Sequence, residues 1–180
     1  RRGFWVQPGT GYFPKYRGSV WQAMFLAQLG ADGDDGRVRS ACDYVLSNAA
    51  ATHGGFAVNR TPSSFVHCMA GNVAAALIDL GWLRDPRLQA ALDWQARTVT
   101  GEGVEGHDAK GTPRRYFKSG TSGPLFACAV NAGLSCAWGA AKALLALGKV
   151  PEESRTTTIR AAVERGTQFL LSRDPAVADY

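Results

Sequence analysis

Two stretches of the chain place a cysteine at the mouth of an apolar run. They are "VHCMAGNVAAALIDLG" at 66–81 and "LSCAWGAAKALLALG" at 134–148, and both read Cys-x-x-Gly, then an alanine-rich segment, then Leu-Gly or a close variant. A thiol in such a place either packs as a small apolar group or, as thiolate, serves as nucleophile or metal ligand. Cys68 and Cys136 are the pair in question, with Cys128 eight residues before Cys136 and His67 beside Cys68. A second group with chemical capacity is the cationic run "HDAKGTPRRYFK" at 107–118, where Lys110, Arg114, Arg115 and Lys118 face a single aspartate. Guanidinium groups in a glycine-rich loop can grip a diphosphate or other anion through paired hydrogen bonds. A solvated basic surface is the alternative reading.

The elements that must position these groups emerge from an internal repeat. Three units are legible: 18–30 with 34–48, 64–81 with 85–98, and 133–148 with 151–173. The first segment of each is apolar or small on nearly all sides, as for a buried helix. The second is amphipathic: Val38, Ala41, Cys42, Val45 and Leu46 recur at three- and four-residue spacing, which marks one inward face. Gly30, Gly81 and Gly148 are the expected helix stops, and Asp34 or Asp35, Asp85, and Glu152 or Glu153 the expected acidic starts of the outer helices. No window alternates long enough to predict a strand. The fold class is therefore all-α, an α/α layered ring or solenoid of about three helical hairpins. Residues 1–180 form a single α/α repeat domain, with a glycine-rich insertion over 100–132.

Gly54-Gly55-Phe56 between hairpins, the corner "LGWLRDPRLQAALDW" and the small-residue buried helices resemble the prenyltransferase and squalene-oxidase repeat of the α/α-toroid, terpenoid-cyclase-like superfamily, in particular bacterial squalene-cyclase-like proteins of unassigned function. That resemblance implies an apolar central cavity for an isoprenoid or similar ligand. It also implies about six hairpins in a closed ring, so three are expected to be a partial ring, part of a larger toroid or half of a homodimer. Relatives in this superfamily place zinc at inner-helix starts, which would make Cys68, Cys128, Cys136 and His67 or His107 a candidate zinc set, and Trp138 a candidate wall of the cavity. The acidic motif of the cyclases has a counterpart in Asp32 to Asp35, but these residues open an outer helix, where a turn and cap explain them.

Composition limits the remaining classes. At 180 residues with 46% hydrophobic content the chain can bury a core, and a net charge of +5 with one short basic cluster predicts no nucleic-acid partner. No apolar run is long enough for a transmembrane segment. Four cysteines are too few for a disulfide framework, so reduced thiols in a cytoplasmic protein are expected. The alternatives to isoprenoid chemistry are a toroid-shaped interaction module without catalysis and a basic anion-binding scaffold.

Overall fold

The computed structural model describes residues 3–106, 108–174 and 176–177. Among them are six α-helices: α1 (Ser19–Gln28), α2 (Gly36–Asn48), α3 (His67–Asp79), α4 (Pro86–Thr100), α5 (Ala137–Lys149) and α6 (Thr157–Leu171). They form three successive hairpins. In the inner layer α1 packs on α3 and α3 on α5, while outside α4 packs on α6. The expected all-α hairpin array is thus the observed one, with one addition in the insertion. There β1 (Val104–Gly106) and β2 (Phe117–Ser119) pair in parallel, Val104 opposite Phe117 and Gly106 opposite Ser119. Strands this short show no periodicity in sequence, and contacts elsewhere in the chain create them.

Local chemistry sets most helix boundaries. Asp35 and Asp85 cap α2 and α4 by accepting from the backbone N–H of Arg37 and Arg87, at 2.7 and 2.8 Å, and each also pairs with that arginine's guanidinium. The Arg37 side chain holds the Asp35 carboxyl well below the usual carboxylate range. Arg87 reaches on to Asp43 and Ser47 and so ties α4 to α2. Gly30 and Gly81 adopt the left-handed conformation (φ 70° and 85°) and end α1 and α3. Gly148, expected to do the same, instead lies inside α5. That helix runs on to Lys149 and stops where Val150 extends ahead of Pro151. The third outer helix starts at Thr157, capped by the Thr156 hydroxyl, and Glu152–Ser154 form a separate 3-10 turn.

The inner helices approach closely because their contact faces are small. A Cβ on Gly71 of α3 would overlap the Lys142 carbonyl of α5, and one on Gly139 would press within 3.2 Å of the His67 Cβ. Ala70, Ala74, Ala140 and Ala143 are buried in the same core. The twin Cys-x-x-Gly segments therefore share a packing purpose in their glycines. Gly71→Ala is expected to lower stability by about 3 kcal/mol, whereas Gly148→Ala, with nothing within 4 Å of its Cβ, is expected to raise it by about 0.5 kcal/mol. Urea denaturation of the two variants against wild type checks both.

Candidate functional site

The starts of α3 and α5 bring the sequence candidates into one region, but not as equivalents. Cys136 is the N-cap of α5, its sulfur accepting from the Gly139 N–H at 3.4 Å. Cys68 lies inside α3, second after the cap residue Val66. Cys128 sits on a short ladder in which Ala127 bridges Ser135, and its own N–H donates to the Leu134 carbonyl. Burial raises the Cys68 thiol, and the nearness of Cys136 and Cys128 adds to the shift. The three half-buried sulfurs thus share a neighbourhood, and all four cysteines are free thiols. Cys42 is different. It is fully buried under α2, where desolvation pushes it up to about 11, as suits a packing residue.

His67 does not join the sulfurs. Its ring points into the core, where Nε2 donates to the Gly123 carbonyl at 3.0 Å and Nδ1 accepts from the Gln95 side-chain amide at 3.3 Å. The His67 backbone N–H donates to the buried Ser122 hydroxyl. Both ring nitrogens are occupied, so neither is offered to a metal. His107 lies outside the described residues. Among the described residues no group of three or more Cys, His, Asp or Glu side chains is arranged to hold a metal ion.

Two contributors escaped the sequence reading. Gln95 interrupts the inward row of α4 formed by Leu88, Ala91, Leu92 and Val99, and a polar residue in such a row is the signal that could have marked it. Its Oε1 is buried without a partner, at a cost of about 1–3 kcal/mol. His53, between the first two hairpins, lies flat on Trp94 with ring centroids 3.9 Å apart. It is held there by the Gly55 N–H at Nδ1 and by donation from Nε2 to Pro62 O. A Cβ on Gly55 would overlap the Trp94 ring, and Phe56 is in the core, so Gly-Gly-Phe is explained by packing.

The insertion holds a cavity of about 410 Å³, lined by Cys128, Asp108, Ser119 and the backbone of several glycines. Its basic residues are all exposed. Lys118 donates to the Ala109 carbonyl and Arg115 lies over the Tyr116 ring, an arrangement of a solvated loop. Lys110 and Arg114 share that exposed surface. Trp138 is 62% exposed on α5 with the Lys142 ammonium over its ring. Ala141 and Leu145 follow Trp138 along the same side of α5, an apolar row on a helix whose other sides pack into the core, and Leu134 is exposed in the bend ahead of the helix.

No protein-family model, no curated protein and no solved structure matches this chain. The site is therefore described by its own chemistry.

Burial pushes His67 down from 6.5 to about 4, the Gly123 carbonyl pulling only partly the other way. Protonation would also set an Nδ1–H against the Gln95 amide hydrogens. Unfolded, the imidazole takes its proton near 6.5; folded, it resists until about 4. Stability supplied by neutral His67 is thus complete above pH 6.5 and is lost as pH falls toward 4, about 3 kcal/mol in all. In urea melts across that window wild type is expected to weaken by at least this amount, since burial lowers His53 as well, and His67→Leu, less stable at neutral pH, to lose the part of the slope that His67 supplies.

Proposed function

We propose that this chain is an interaction module, a helical-hairpin scaffold that associates through the apolar row on α5. The observation that carries the reading is the exposure of Trp138 and Leu145 on α5, at 62% and 43%, with Leu134 exposed in the bend ahead of the helix, beside an alanine seam that fills the inner layer. Large apolar side chains grouped on one helix face mark surfaces that meet another apolar surface. The partner is a second copy of the chain. At the other end of the inner layer, α1 leaves Phe25 and Leu29 exposed, so each copy carries two apolar helix surfaces of matching kind. A resemblance to toroid-forming repeats supports this reading, because such hairpins bury their flanks against further hairpins.

A second reading has its own support. The thiols of Cys68, Cys128 and Cys136 lie near the start of the helix that carries Trp138, and the resemblance implies an isoprenoid-like ligand. On this reading the apolar row holds a hydrocarbon chain and the protein handles isoprenoids, as a binder or an enzyme.

Light scattering on the purified protein separates the two. Mass rising to that of a dimer at micromolar concentration, and falling back at least about tenfold more readily in Trp138→Ser/Leu145→Ser, is the result expected of the module. A monomer at every concentration, with Trp138 fluorescence quenched saturably by farnesol, transfers the assignment to isoprenoid binding.

A further inference from the structure

The segment ahead of α1 folds back over the first hairpin as a strap, and between strap and hairpin lies a cavity of two lobes. The larger, about 660 Å³, is walled by Phe4, Trp5, Arg37, Ser40 and Ala41. The smaller, about 390 Å³, is walled by Trp5, Leu26, Asp32, Asp35 and Val38. Trp5 and Arg37 belong to both, so the lobes adjoin across them. Volumes of this order suit a small organic molecule.

The partition is built. The backbone N–H of Trp5 donates to the hydroxyl of Ser19 at 3.1 Å, and Ser19 is fully buried at the start of α1. The strap is clamped further along, where the Gly9 N–H donates to the Tyr44 hydroxyl and that hydroxyl donates back to the Gly9 carbonyl. Phe4 packs on the same tyrosine at 5.5 Å between centroids. The indole is thus carried on a segment tied to both α1 and α2.

Charge then selects the occupant. Arg37 is spent on Asp35 through two bonds, Nε to Oδ1 at 3.0 Å and a terminal nitrogen to Oδ2 at 2.7 Å, so that pair is neutral as a unit. Among the described residues no cation is paired with Asp32; one of its oxygens accepts from the Asp34 N–H at 2.9 Å. The smaller lobe therefore combines Trp5, the aliphatic side chains of Leu26 and Val38, and at its exposed edge the Asp32 carboxylate, which no cation among the described residues pairs. An aromatic face beside a carboxylate attracts a weakly hydrated cation, and aliphatic walls favour one that carries carbon. Anions are disfavoured there because the guanidinium is already bonded.

We propose that this cavity is a binding site for a small organic ammonium ion, the cationic head against Trp5 and Asp32 and an apolar tail in the larger lobe along Phe4 and Ala41. The proposal is independent of the apolar row on α5.

The test is a proton–nitrogen NMR titration of the whole chain, read at the Trp5 indole N–H, which is assigned by its absence in Trp5→Phe. Choline, butyltrimethylammonium and the neutral isostere of choline, with carbon in place of nitrogen, are the probes. Both cations are expected to shift the Trp5 signal, butyltrimethylammonium several-fold more tightly because of its tail. The neutral isostere should bind about tenfold more weakly. Asp32→Asn retains the acceptor for the Asp34 N–H and so preserves the turn, and it should weaken both cations several-fold while leaving the isostere unchanged. Equal binding of the isostere, cation affinities untouched by Asp32→Asn, or a Trp5 signal that neither cation moves would each overturn the proposal.

Discussion

The close contact of α3 with α5 is the constraint on which the remaining structure rests. Gly71 lies under the Lys142 carbonyl with no room for a side-chain carbon, and alanines occupy the neighbouring contact positions. Dispersion between backbones at this separation replaces the interdigitation of large side chains that joins most helix pairs. The close approach sets the starts of the two helices side by side. Cys68, Cys136 and the ladder carrying Cys128 meet there for that reason, and Gly139 faces His67 across the same seam. It also dictates what α5 exposes. With one side held against α3 and another against α6, the row through Trp138 and Leu145 is left outward.

The insertion between the second and third hairpins is part of this core. Phe126 is 1% exposed and contacts both His67 and Phe169, so the loop places an aromatic ring among α3, α4 and α6. Phe126 and its neighbour Leu125 both have positive φ, conformations that cost a residue with a Cβ about 1–2 kcal/mol and persist only where surroundings impose them. Burial of the Phe126 ring is the compensating gain. The hydrogen bonds of His67 to Ser122 and Gly123 complete the attachment. The imidazole is in effect a neutral pin between an inner helix and the loop, and Gln95 orients it from the outer layer.

The polar groups of the molecule accordingly divide by environment. Inside, His67, Gln95 and Ser122 satisfy one another incompletely and require neutrality. Outside, Arg37 with Asp35 and Arg87 with Asp85 repeat one local device, an aspartate that caps a helix and holds the arginine two residues on. The basic loop at 110–118 lacks any comparable framework, and its charges stand in solvent.

The sequence by itself determined the local part of this architecture. Helix number and pairing, the aspartate caps of α2 and α4, and the stops at Gly30 and Gly81 all follow from interactions spanning a few residues, so their signals lie in short windows. The resemblance-bearing Gly-Gly-Phe was visible too, although its reason, the clearance for Trp94, was not. Only the tertiary structure decided that Gly71 admits a neighbour, because the Lys142 carbonyl of α5 stands where its Cβ would be. It likewise turned His67 inward, separated the roles of Cys68 and Cys136 through a small difference in where each helix begins, and paired two strands too short to show a period. Each of these outcomes depends on groups tens of residues distant, and no spacing along the chain encodes where such groups will meet.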